Sequence, residues 1–151
     1  MEFDSLRNSY KFIEKKVSED KKDTLACMGY CYFSNDSLKI IVSLGLFSED
    51  EFSISIKNQE AEVKFSLYNY ENKTLRKTIK SKSSNSIKIN SIIKNFILSN
   101  YPKKAGDTFY AKATLISDDF FVEDADFKGG FINIRPTIDF IFKLRVIILP
   151  K

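Results

Sequence analysis

The chain has no histidine and no tryptophan, and only two cysteines, three prolines and five glycines in 151 residues. Without imidazole, a Ser–His–Asp or Cys–His nucleophile system cannot be built, nor a histidine-ligated metal site. Acid–base chemistry near neutral pH would fall to a retuned carboxylate, lysine, tyrosine or cysteine. Cys27 and Cys31 are too few for a zinc site, which takes four ligands from cysteine, histidine or carboxylate. On one strand their Cα atoms would be about 13 Å apart, beyond the roughly 7 Å that a disulfide spans. Both are therefore expected to be reduced core residues. The glycines are scattered apart from Gly129-Gly130 and spell no phosphate-cradling loop. Neither GxSxG nor HExxH occurs. The chain is expected not to be an enzyme, to need no cofactor and to take no small-molecule substrate.

Long apolar runs are missing too. The nearest, Ile138 to Leu149, is broken by Asp139, Lys143 and Arg145, short of the roughly eighteen apolar residues of a membrane helix. Met1-Glu2-Phe3-Asp4-Ser5 has neither the basic start nor the apolar core of a secretory signal, so a cytoplasmic location is expected. The abundance of Lys, Asn, Ile, Phe and Ser points to an AT-rich genome.

What is present is enough for one core. The chain is 43% apolar and 14% aromatic against 29% charged, which offsets the entropy of ordering it and excludes a disordered class. Its length suits a single domain. A formal charge of +4 is mild for a protein that coats DNA.

Phe3, Leu6, Tyr10, Ile13 and Val17 recur at spacings of three and four, with Arg7, Lys11, Glu14, Lys15 and Glu19 between them. This predicts an amphipathic helix over 1–22 carrying a narrow two-in-seven seam. From residue 25 the period becomes two. Leu38, Ile40, Val42 and Leu44 alternate with less apolar neighbours, as do Phe52, Ile54 and Ile56, then Val63, Phe65 and Leu67. Phe109, Ala111, Ala113 and Leu115 repeat the pattern, and so do Ile138, Phe140, Phe142, Leu144, Val146 and Ile148. Polar turns separate these runs. Asn90-Ser91 before Ile92, Ile93, Phe96 and Ile97 predicts one short internal helix, with a strand through Ile87 and Ile89 as its competitor. The expected fold is mainly β. It is a single-domain antiparallel β-sandwich of Greek-key or jelly-roll style over 25–151, about eight strands, with the two helices added.

Three features are candidates for function. The seam of Phe3, Leu6, Tyr10, Ile13 and Val17 either lays the helix on the outside of the sheet or fits a groove on a partner protein or a second copy. Lys73, Arg76, Lys77, Lys80, Lys82 and Lys88, interleaved with Tyr68 and Tyr70, form a basic hairpin. It suits single-stranded nucleic acid or an anionic membrane surface, or simply protects a sheet edge. Asp118, Asp119, Asp124 and Asp126 read first as a solvated acidic loop with no metal; as an alternative they supply hard oxygen donors that Ca²⁺ would accept, although no EF-hand is spelled. By elimination the expectation is a non-enzymatic protein–protein interaction or assembly subunit. An accessory component of a larger bacterial or phage-like complex, or a toxin-neutralising partner, would fit. The alternative is a surface binder of anionic lipid or single-stranded nucleic acid.

Overall fold

Two tight hairpins show how the alternating runs fold. Strands β3 (Cys27–Ser34) and β4 (Ser37–Leu44) pair in full register from Cys27↔Leu44 to Ser34↔Ser37. The two residues between them, Asn35 and Asp36, have φ of 49° and 60°, as a turn that matches the twist of the flanking strands requires. Strands β5 (Glu51–Lys57) and β6 (Glu60–Tyr68) are joined in the same way by Asn58 and Gln59, with φ of 51° and 66°. The computed structural model describes residues 9–16, 19–22, 27–44, 50–68, 74–123 and 130–150.

The remaining strands are β1 (Ser9–Lys16), β2 (Glu19–Lys22), β7 (Thr74–Arg76), β8 (Ser86–Leu98), β9 (Thr108–Ser117), β10 (Phe120–Glu123) and β11 (Phe131–Ile147). Seven of them close into a ring in the order β3-β4-β5-β6-β8-β9-β11 and back to β3. Every neighbouring pair is antiparallel except the last, where Val146 and Ile147 of β11 lie parallel to Cys31 and Tyr32. An up-and-down ring with an odd number of strands must close in parallel, because its first and seventh members run the same way. The architecture is thus a closed barrel, not the Greek-key or jelly-roll sandwich expected from the sequence. Alternation reports only that one face is buried, which is common to both. The difference lies in two long strands. β8 pairs β6 through Ser86–Asn90 and β9 through Ser91–Leu98, while β11 spans from β10 and β9 to β3. Strands that serve both halves leave no edges between two sheets.

Among the described residues neither expected helix is found. Ser9–Lys16 is a strand paired with Ile134–Ile141 of β11, and Glu19–Lys22 pairs back onto it. Helical spacing is a weak prior; here it is overridden by the open backbone edge of β11 and by β-favouring residues such as Tyr10, Phe12 and Ile13. At 86–98 the competing strand wins. Its register shifts between Lys94 and Ile97, and Asn95 has φ of 51°. This bulge puts one extra residue in the strand, so the inward face moves from odd to even positions. Ile87, Ile89 and Ile93 turn inward before it, Phe96 and Leu98 after it. Ile92, Ile93, Phe96 and Ile97 mimic helical spacing because they are the two faces of one bulged strand.

Inward residues fill the barrel. Leu38, Ile40, Val42, Phe52, Ile54, Leu115 and Ile138 are wholly buried, with Phe140, Phe142, Leu144 and Val146 close behind. Phe52 lies 4.8 Å from Phe65, and Phe140 4.9 Å from Phe142, between ring centres. Gly29 makes room for the second pair: a Cβ there would stand 2.7 Å from Phe142 Cδ2. Ile148, expected in this face, is 83% exposed because β11 ends one residue earlier. Outward positions along the same strands are largely polar, among them Lys39, Ser53, Ser55, Lys64, Asn90, Thr114, Asp139 and Arg145. That is the inverse of a barrel whose apolar band faces lipid. Among the described residues no helix is long and apolar enough to cross a membrane.

Candidate functional site

The three candidate features fare differently. Of the amphipathic seam, Phe3, Leu6 and Val17 lie outside the described residues. Tyr10 and Ile13 sit on β1 opposite Phe140 and Thr137, and the 3.6-residue period that defines the seam does not exist in that backbone. The acidic stretch is split. Asp118 and Asp119 lie in the β9–β10 turn, β10 carries the chain away, and Asp124 and Asp126 fall outside the described residues. Among the described residues no group of three potential ligands could hold a metal.

The basic stretch is closed by a single antiparallel bridge in place of a full hairpin ladder. β7 has three residues and meets the chain ahead of β8 through one bridge, with Leu75 N–H donating to Ser84 O at 3.0 Å and the reverse bond at 2.9 Å. Leu75 is buried, whereas Ile79 is 55% exposed. Lys77, Lys80 and Lys82 stand on the surface of the loop and Lys88 on the outer face of β8, while Lys73 lies outside the described residues. Arg76 is half-buried on the face opposite Leu75, its guanidinium 5.1 Å from the centre of the Phe131 ring and its Nη1 donating to Ile79 O at 3.1 Å.

Folding joins segments of the basic and acidic stretches. A groove of about 400 Å³ is lined by Lys77, Thr78, Lys88, Asn90, Asp118, Asp119 and Phe121. It exists because β10 pairs with β7, Phe121 against Arg76 and Val122 against Leu75, and because Asp118 N–H donates to Asn90 O at 2.9 Å. Asp119 forms one wall. Asn133 Nδ2 donates to its Oδ2 and Arg135 Nη2 to its Oδ1, both at 3.1 Å, and the Asn133 amide followed by Arg135 holds its carboxyl below the ordinary carboxylate range. The lysines and aspartates stand out in the sequence as charge runs. Nothing there hints at Phe121, Thr78 or Asn90, which reach the groove through pairings distant in the chain.

The outer wall formed by β8, β9 and β11 is the second candidate. In successive cross-strand rows stand Ile92, Ile116 and Thr137; then Lys94, Thr114 and Asp139; then Ile97, Lys112 and Ile141. Ile92 is 52% and Ile97 42% exposed. Beyond them Lys143 Nζ lies 5.7 Å from the centre of the Tyr110 ring, and Arg145 stands opposite Thr108. Asp139 is engaged by the Thr114 hydroxyl. The signal for this wall is present in the sequence as consecutive apolar residues, Leu115-Ile116 and Phe140-Ile141-Phe142, in strands that otherwise alternate.

Cys31 is a buried free thiol in the barrel wall, pushed up to about 11 by desolvation, which makes it a poor nucleophile. No family model, curated protein or solved structure matches the chain.

Proposed function

We propose that this protein is a non-enzymatic binding or assembly module that engages an acidic partner protein through the outer wall of β8, β9 and β11. The observation that carries the reading is the pair Ile92 and Ile97, left half-open to solvent on a barrel whose interior is already filled. Ile116 adjoins Ile92, the row Lys94, Thr114 and Asp139 follows, and Lys112 stands between Ile97 and Ile141; with Arg145 these cations outnumber Asp139, the one acid of the three strands among the described residues. Exposed aliphatic side chains interleaved with charged ones suit a protein interface that offers both apolar and polar contacts. The excess of cations selects the partner. In a two-fold dimer the same patch faces itself, so lysines would oppose lysines, whereas an acidic surface would be complementary.

Selection from an unbiased displayed peptide library tests this. Apolar sequences flanked by Asp and Glu should be enriched. The Ile92→Asp, Ile97→Asp double variant, folded as judged by its melt, should bind them at least about tenfold more weakly, the loss of one ordinary anchor. Peptides that bind parent and variant equally would overturn the assignment.

A further inference from the structure

We propose that the groove between the β7–β8 loop and the β9–β10 turn binds single-stranded nucleic acid, with phosphates on Lys77 and Lys88 and a base stacked on Phe121. This stands independently of the outer wall. The volume, about 400 Å³, falls at the small end of ordinary ligand clefts, about 300–1,000 Å³. Its composition joins the two elements that non-specific single-strand binding requires, a cationic track and an aromatic platform. Lys77 comes from the loop and Lys88 from the strand, and Lys80 and Lys82 extend the cationic track along the loop surface. Thr78 and Asn90 add hydrogen-bonding groups beside the lysines. Base-paired nucleic acid does not expose a ring face to Phe121; an unpaired base does.

The acids in the groove orient the strand. Asp119 is bridged to Arg135, so it adds little repulsion. Asp118, exposed in the same turn, disfavours phosphate there and leaves the lysine side for the backbone.

The test is fluorescence anisotropy with a short labelled single-stranded oligodeoxynucleotide. If Lys77, Lys80, Lys82 and Lys88 all meet phosphates, the slope of log K against log salt should be about −2.8, so binding weakens about 50-fold between about 50 mM and about 200 mM salt. Changing Lys77→Gln and Lys88→Gln together should reduce the slope by about 1.4. Phe121→Leu should weaken binding about tenfold at unchanged slope, and Phe121→Tyr should restore it. The lysines are exposed, so that variant should fold and decides the matter if Phe121→Leu does not. No binding at the lower salt would overturn the proposal. So would an unchanged slope in the lysine variant, or binding to phosphatidylserine vesicles but not to the oligonucleotide.

Discussion

Gln59 occupies a backbone conformation that its side chain does nothing to favour. Its φ of 66° is left-handed, a region that costs an ordinary L-residue about 1–2 kcal/mol. Asn35, Asp36 and Asn58 adopt the same region with short polar side chains that tolerate it. Gln59→Gly should therefore stabilise the protein by about 0.5–1 kcal/mol, the relieved strain less the extra freedom glycine gains in the unfolded chain. The urea midpoint should rise with the m-value unchanged. Asp119 offers a pH test at the same scale. Its folded pKa is depressed, by Asn133 first and Arg135 second, so the unfolded chain takes up the proton at higher pH. Its contribution to stability is complete above the ordinary carboxylate range and is lost as pH falls through the folded value. Asp119→Asn should flatten the acid arm of stability against pH below about 4, measured as denaturant midpoints. Asp107, lowered by backbone hydrogen bonds from Lys103 and Lys104, should keep some of the dependence in place.

The bulge in β8 decides which face of a whole element meets the core. Asn95 holds it with φ of 51°, so Asn95→Gly should be nearly neutral. Asn95→Ile, a β-branched side chain in that region, should destabilise by about 1–2 kcal/mol, read as a lowered melting temperature. The same residue marks the limit of what the sequence makes legible. Where period two is kept, as in Leu38 to Leu44 or Phe109 to Leu115, the inward residues follow from the sequence alone, although Ile41 and Tyr110 on the opposite face are buried as well. Where one residue is inserted, period two turns into an apparent period of three and four, and Ile92 and Ile97 read as members of the wrong element on the wrong side. The groove is half legible in the same sense. Its lysines and aspartates are conspicuous, but their meeting depends on β7 pairing β10 across some 46 intervening residues, from Val122 to Leu75, and no local pattern encodes that.

At the scale of the molecule, the candidate surfaces lie on the outside because the inside is full. Phe52, Phe65, Phe109 and Phe120 are among the largest fully buried side chains, and they occupy the space in which larger barrels carry ligands. The two candidate surfaces are neighbours: Asn90 lies two residues before Ile92, and Asp118 two after Ile116, in strands that pair with each other. A protein on the wall and a nucleic acid in the groove would therefore compete or touch, and the order in which they bind would matter. The parallel closure has a further, mechanical meaning. β3 begins and β11 ends at opposite ends of the barrel, so tension applied between Cys27 and Ile147 loads their contact in shear, the direction in which paired strands resist most. Only two residue pairs bear that load. Once they slip, the neighbouring antiparallel hairpins are pulled from their open ends and unzip bond by bond, so the ring would behave under force as a ribbon fastened by a single weak clasp.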